Sequence, residues 1–167
     1  MIDTHSPQPS GTHSRQTGAS LIEVLVAVFV LAFGVLGIAA MQAGALRNNQ
    51  GALEQSTAVF LTHSILDAMR ASMVPDPADP GRFVVRPGYV TGGFICGVSA
   101  APDNLVSNDI NRWLQDIRDN LNGGANDGNA CGRIVCNAND CTASVQWNNS
   151  RSLGGNQAQV VATRSRL

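Results

Sequence analysis

The feature that most constrains this chain is an uninterrupted apolar segment close to its N-terminus. Eighteen consecutive apolar residues run from Val24 to Met41, and Arg47 is the first charged residue after them. As an α-helix this run would be about 27 Å long, which matches the hydrocarbon core of a bilayer. The segment beyond it has ordinary composition, so the sequence predicts a single membrane span and one modest domain outside the bilayer.

The residues before the apolar run predict a cleavage site. Residues 1–18 are polar and contain Pro7 and Pro9, so no stable helix is expected there. An ordinary secretory signal is cut after its apolar region, but Ala39-Ala40-Met41, the nearest such site, is weak. The junction between Gly18 and Ala19 lies before the run instead. Cleavage there would leave the apolar helix as the N-terminus of the mature protein.

Glu23 is the one ionisable residue at the start of this segment, and it would be the fifth residue of the mature chain. An ionised carboxylate in hydrocarbon is costly unless it has a partner. The nearest cation is the α-amine of Ala19, which exists only after cleavage, and a staggered neighbouring subunit could offer its own amine to Glu23. The alternative is a plain anchor whose Glu23 lies among lipid headgroups.

Gly34 and Gly37 interrupt the apolar helix with residues that disfavour helix formation. Each costs up to about 1 kcal/mol relative to Ala in a soluble helix. Small residues are also favoured where transmembrane helices touch. Two interpretations therefore stay open for these glycines: close packing against another helix, or a weak point that can extend when the subunit leaves the bilayer.

Beyond the apolar run, residues 48–73 are predicted to continue the same helix in amphipathic form, ending before Pro75. One face is expected to carry the apolar residues Leu53, Phe60, Leu61, Ile65, Met69 and Met73. Residues 82–100 suggest one or two short strands, and a second helix is expected at about Asn104–Leu121. After a turn region at 122–129, three strand candidates follow: Gly132–Cys136, Cys141–Trp147 and Gln157–Ser165. The fold class is therefore α+β, with Trp113 and Trp147 expected in the core.

All four cysteines lie beyond the apolar run, which fits an exported, oxidising compartment. Cys136 and Cys141 flank a four-residue loop between two strand candidates, so they could face each other across a hairpin. That pairing leaves Cys96 to Cys131. The alternative is a zinc site made of four thiolates, although the spacing contains no CxxC knuckle.

Composition argues against several other functions. Eleven arginines and no lysine balance twelve acidic residues, and the arginines are scattered, so no nucleic-acid surface is expected. His63 is the one histidine of the predicted mature chain, so no second histidine follows to form a metal pair, and no nucleophile elbow or phosphate loop is present. Asp76 and Asp79 lack the spacing of calcium ligands. We therefore expect neither an enzyme nor a bound cofactor or metal.

The segment GASLIEVLVA, residues 18–27, resembles the prepilin signature. The resemblance implies that a membrane prepilin peptidase cuts after Gly18 and that the new N-terminus, Ala19, is methylated. Many family members have Phe or Met at this position, so Ala19 is a departure. The implied architecture is the type IV pilin fold: leader 1–18, membrane half of the long helix 19–46, amphipathic half 47–73, and a periplasmic head 74–167 containing a small antiparallel sheet and one extra helix.

Three further stretches resemble PilV-type minor pilins: SILDAMRAS (64–72), DINRWLQDIRDNLNGGAN (109–126) and SVQWNNSR (144–151). This resemblance implies a subunit that helps to start pilus assembly near the fibre tip. The implied partners are the prepilin peptidase, other minor pilins, the major pilin and the inner-membrane assembly platform. The implied location is the inner membrane, with the head in the periplasm, and then the pilus.

Three alternatives remain at this point. LIEVLVA also suits a minor pseudopilin of a type II secretion system. The head could instead be a tip adhesin that binds a surface ligand. Finally, the chain could be a membrane-anchored periplasmic domain that is unrelated to filaments.

Overall fold

A computed structural model describes residue 18 and residues 20–98, 104–121 and 128–167. Its longest element is helix α1, Leu21–Ala71, which accommodates the apolar run and the residues that follow it without a break. The chain divides into two compact units, one extending to Met41 and the other comprising Gln42–Leu167. Helix α1 contributes to both.

The first unit contains the apolar half of α1. Each residue from Leu21 to Met41 is exposed, so nothing in the described part of this chain covers this half. Among the described residues, α1 is the one helix that is long and apolar enough to cross a membrane. Its surface therefore has the character expected of a helix whose environment is supplied by lipid or by other chains.

The second unit combines the rest of α1 with two small antiparallel sheets and a second helix. Strands β1 (Val74–Pro75) and β2 (Phe83–Val84) form a two-stranded ribbon, and helix α2 follows at Leu105–Leu121. Strands β3 (Cys131–Asn137), β4 (Asp140–Trp147) and β5 (Gln159–Arg166) form a sheet in the order β3-β4-β5. The predicted fold class is confirmed, and these elements agree with the type IV pilin fold.

The predicted strands and helices differ from the observed ones mainly at their ends. Only Phe83–Val84 and a single bridge between Ile95 and Gly132 represent the strands expected within residues 82–100. Strand β1 was not predicted, because a two-residue element ending in proline lacks any periodicity. Most of the turn expected at 122–129 lies outside the described residues. Its last two residues, Gly128 and Asn129, are described and form a turn.

The core of the second unit lies between the two helices and one face of the three-stranded sheet. Trp113 from α2 and Trp147 from β4 are both buried, which confirms their predicted place in the core. The indole Nε1 of Trp113 donates to the Leu61 carbonyl at 2.9 Å. Gly132 lies directly against that indole: a Cβ at this position would come within 2.6 Å of Trp113 Cη2. Glycine therefore allows α2 to approach the sheet this closely.

The core-facing side of α1 shares only Leu61, Ile65 and Met69 with the predicted one, and Met73 lies just beyond the helix. Ala58, Leu61, Ile65, Leu66 and Met69 are buried, together with Thr62, whose hydroxyl lies 2.6 Å from that of Thr163 on β5. Leu53 and Phe60, which were expected on this face, are exposed. The prediction was wrong because an apolar residue was assigned to the core on type alone, whereas the helix carries apolar residues on two sides.

A polar junction joins the end of α1 to the start of α2. The Ser72 hydroxyl donates to Tyr89 Oη at 3.0 Å, and Tyr89 in turn donates to the Asp109 carboxylate. Burial, reinforced by the hydrogen bond to Asp109, raises the pKa of Tyr89 to about 12. Asn104 caps α2, because its side-chain oxygen accepts the Ser107 amide at 3.0 Å.

Two disulfides join the cysteines in the pairs that the sequence favoured. Cys136 and Cys141 are directly opposite each other on β3 and β4, with their Cα atoms 4.1 Å apart. Cys96 bonds Cys131 beside the Ile95–Gly132 bridge and ties the preceding loop to β3. All four sulfurs are thus used in disulfides, which leaves no thiolate for the alternative zinc site.

Candidate assembly site

The start of α1 is organised around Ser20 and Glu23. The Ser20 carbonyl accepts the amides of Glu23 at 2.9 Å and Val24 at 3.2 Å, so Ser20 is the cap residue of the helix. Glu23 then occupies the third helical position, where Ser-x-x-Glu is the pattern of a capping box and where the helix dipole favours a carboxylate. The sequence prediction for Glu23 considered only its charge in the membrane and missed this local reason for an acidic residue.

The predicted cleavage junction lies just before this cap. Gly18 is exposed, and a Cβ at this position would meet no atom of another described residue within 4 Å. Ala19, the predicted methylation site, lies outside the described residues, as does the leader up to residue 17. Glu23 is exposed and makes no ion pair with any described residue. A partner for its carboxylate therefore has to come from residues outside the described ranges, such as Ala19, from lipid headgroups or from another chain.

Gly34 and Gly37 lie within continuous helix in the apolar half of α1. A Cβ at either position would meet nothing within 4 Å in the described part of the chain. Neither glycine is therefore required by packing inside this molecule. The two interpretations raised by the sequence, contact with another helix and local extension of α1, both stay predictions.

Beyond the apolar run, α1 carries a second apolar surface that faces away from the core. Leu46, Leu53 and Phe60 recur every seven residues and are 64%, 68% and 70% exposed. We call these three residues the outer stripe. Leu53 and Phe60 follow the inward-facing Gly51 and Ala58 by two positions, which is about 200° around a helix. Residues seven positions apart lie on nearly the same side of a helix, so the three side chains form one exposed apolar line along α1.

Glu54 is the second glutamate of the chain, and its environment is entirely different from that of Glu23. Its carboxylate accepts Trp147 Nε1 at 3.0 Å and the Arg151 guanidinium at 2.8 Å, and its side chain is only 17% exposed. Glu54 therefore fastens α1 to the end of β4 and to the loop that follows. No local signal in the sequence connects Glu54 with Arg151, which is 97 positions away.

The turn between β3 and β4 borders a polar hollow that could be considered for a small ligand. It measures about 530 Å³ and is lined by Arg82, Asn139, Asp140 and Arg166, among others. The Asn139 side-chain oxygen is buried there without a hydrogen-bond partner, while the hydrogen bond from Arg164 holds the pKa of Asp140 below its usual range. Charges of both signs line this hollow, so its chemistry selects no single class of adhesive ligand.

Comparison with known proteins gives one finding for the N-terminal region. Residues 13–39 match the family model described as the prokaryotic N-terminal methylation motif. A search of curated proteins and a search of solved structures found no match. The motif indicates a type IV prepilin-like protein, which implies processing by a prepilin peptidase and assembly with other pilins. Together with the apolar half of α1, the motif indicates membrane anchoring. The proteins that carry this motif are structural subunits.

Proposed function

We propose that this chain is a minor pilin of the PilV type that helps to start assembly of a type IV pilus. In this proposal the leader is cut between Gly18 and Ala19, Ala19 is methylated, and the subunit waits in the inner membrane with its head in the periplasm. It then joins other minor pilins and the major pilin at the assembly platform and enters the fibre at or near the tip.

The observation that carries this proposal is the outer stripe of Leu46, Leu53 and Phe60. A plain anchor needs apolar surface only where lipid covers it, yet this stripe lies after the apolar run and faces away from the head's own core. An exposed heptad pattern on such a helix supports packing against a neighbouring subunit. It therefore favours assembly over a solitary membrane-anchored domain.

Glu23 has a specific role in the proposed assembly step. When the helix moves from lipid into a bundle, the carboxylate of Glu23 would pair with the α-amine of a staggered neighbour, which offsets the cost of burying either charge alone. Gly34 and Gly37 would either let neighbouring helices approach closely or allow the helix to lengthen locally. Each of these roles belongs to the bundle and requires no change in the head.

Processing provides the first prediction. Mass spectrometry of the membrane-bound protein is expected to show a chain that begins at Ala19, with one methyl group on its amine. A bulky residue at position 18, as in Gly18→Leu, should leave uncut precursor, whereas Gly11→Leu in the leader is the matched control and should be processed normally. A mature chain that begins near Met41 would instead identify an ordinary signal peptide and would contradict the proposal.

Counting pili in a deletion strain tests the assembly role. If the subunit primes assembly, the deletion should reduce pilus number, and removing the retraction motor should partly restore it, because slow initiation would no longer compete with disassembly. The alternative of a tip adhesin predicts normal pilus number and length with loss of attachment. The alternative of a type II secretion pseudopilin predicts normal pili and accumulation of secreted proteins in the periplasm.

A further inference from the structure

The loop between β4 and β5, residues 148–158, is built tightly against α1. At Gly51 of the helix, a Cβ would come within 2.9 Å of Ser152 Cβ, so only glycine accommodates the loop there. Within the loop, the Asn149 amide donates to the Asn156 carbonyl at 2.8 Å, and Gly154 has a φ of +73°, a conformation that favours glycine. Arg151 adds its ion pair to Glu54. The loop is therefore held in one conformation on the helix.

In this conformation the loop exposes the apolar side chain of Leu153 beside Gly44 of α1. Leu153 is 60% exposed, more than any other large apolar side chain described beyond α1. Its Cδ1 atom lies 3.9 Å from the position that a Cβ on Gly44 would occupy. Gly44 follows Met41, the last residue of the apolar run, by only three residues, which is about 4.5 Å of helix rise.

We infer that the β4–β5 loop is a membrane contact, in which Leu153 enters the headgroup region of the leaflet next to the head. Leucine is among the side chains by which surface-bound elements enter the headgroup and acyl boundary, to a depth of roughly 5–10 Å. Arg47, which is exposed one turn after Gly44, and Arg151, which is half exposed, supply cations beside it. Their long side chains suit the phosphate groups of lipids at this depth.

Lipid fits this position better than another helix does. The outer stripe, which is the apolar surface suited to helix packing, begins at Leu46, about 200° around α1 from Gly44. A helix that covers the stripe would therefore leave Leu153 uncovered. The continuous apolar run just before Gly44 requires lipid at this end of the helix in any case. The inference rests on membrane anchoring alone and is independent of the proposed role in assembly.

The test uses the full chain in vesicles of phosphatidylethanolamine and phosphatidylglycerol that contain a lipid with a nitroxide on its headgroup. All four native cysteines are disulfide-bonded, so Leu153→Cys provides the single thiol for a fluorescent label. Leu105→Cys is the matched control, because Leu105 is similarly exposed. Leu105 begins α2, and hydrogen bonds through Tyr89 connect the start of α2 to Ser72, which follows the far end of α1 from the apolar run. Quenching of the label at 153 should be several-fold stronger than at 105.

Equal quenching at the two positions would overturn the inference. So would quenching at 153 that appears only at a high ratio of protein to lipid, with the nitroxide fraction of the lipid held constant, because the lipid contact would then depend on a second copy. Should the added thiol disturb the disulfides, Leu153→Trp and Leu105→Trp with brominated lipids provide the same comparison. Trp113 and Trp147 are buried in the core and give a constant background in both variants.

Discussion

The two halves of helix α1 contain the same residue types, glutamate and glycine, but differ in whether these residues contact the rest of the chain. In the membrane half, Glu23, Gly34 and Gly37 touch nothing else that the structure describes, and every neighbouring side chain is exposed. In the half that belongs to the head, Glu54 binds Trp147 and Arg151, and Gly51 accommodates the β4–β5 loop. Glutamate and glycine are therefore held by contacts within the head in one half and are left exposed in the other.

This difference implies that substitutions in the two halves can be told apart by what they disturb. A change in the head half at a residue that contacts the rest of the head, such as Gly51 or Glu54, should alter the free energy of unfolding of the isolated subunit. A change in the membrane half should leave that quantity unaltered and act only in the membrane or in the fibre. The following predictions test this separation, beginning with the largest expected effect.

The two glutamates provide the most direct test. Glu23→Leu makes the helix more apolar, so the protein should still reach the membrane, but it should lose the pairing with a neighbour's amine and fail to restore piliation to a deletion strain. Glu54→Leu should reach the membrane as well, yet its head should be less stable by about 1–3 kcal/mol because Trp147 Nε1 loses its acceptor. The measurements are pilus counts, and urea unfolding in detergent followed by tryptophan fluorescence.

Each variant is the control for the other. Wild-type piliation by Glu23→Leu would contradict the pairing role and would leave helix capping by Ser20 and Glu23 as the remaining reason for the carboxylate. If Glu23→Leu also lowered the free energy of unfolding of the head, the expected independence of the membrane half from head stability would be wrong. Glu23→Gln distinguishes charge from shape, because it keeps the size of the side chain and removes only the charge.

Removing the disulfides should have the next largest effect, and the two bonds should differ. In the chain-entropy description, the stabilisation grows with the length of the closed loop, so replacing the Cys96–Cys131 pair by serines should cost about 4 kcal/mol and the Cys136–Cys141 pair about 2 kcal/mol. The corresponding sequence separations are 35 and 5 residues. Urea unfolding of the full chain in detergent measures both values. Equal losses would show that local packing, and not loop length, determines them.

Sequence reasoning identified the features of this chain that have a local signature. The apolar run, the end of α1 before Pro75, the second helix with Trp113, and the hairpin flanked by Cys136 and Cys141 all follow from composition and spacing within a short window. Such patterns determine the fold class, which the structure confirms. The ends of elements shifted by one or two residues, as expected where helices and strands fray.

The contacts between distant segments could not be obtained in this way. Glu54 and Arg151, or Gly51 and Ser152, meet only because β4 ends beside α1, and neither position carries a local pattern that indicates its partner. The outer stripe was missed for a different reason. Leu53 and Phe60 have the residue types of a core, and the sequence alone does not show that they are exposed.

Four glycines in the same helix provide a smaller and finer test of the separation. Gly51→Ala should destabilise the head by about 1–2 kcal/mol, because overpacking against Ser152 outweighs the better helix propensity of alanine. Gly44→Ala, whose Cβ would be in ordinary contact with Leu153, should instead stabilise the head by up to about 1 kcal/mol. Gly34→Ala and Gly37→Ala should leave its unfolding unchanged. An effect of either membrane-half variant on head unfolding would contradict the comparison.

The smallest expected effect concerns the junction at Tyr89, which links Ser72 after the end of α1 to Asp109 of α2. Tyr89→Phe should cost about 1 kcal/mol at neutral pH, because it removes the hydrogen bonds with Ser72 and Asp109. The pKa of Tyr89 is raised to about 12 in the folded protein, above the value near 10 of an unfolded chain. Folding therefore favours the protonated phenol, and this contribution is complete below pH 10 and is lost as the pH rises towards 12. The stability difference between wild type and Tyr89→Phe should accordingly shrink over this interval, and urea unfolding of both proteins at pH 8 and pH 11 measures it. A difference that stays constant between the two pH values would mean that the phenol is not protected in the folded head.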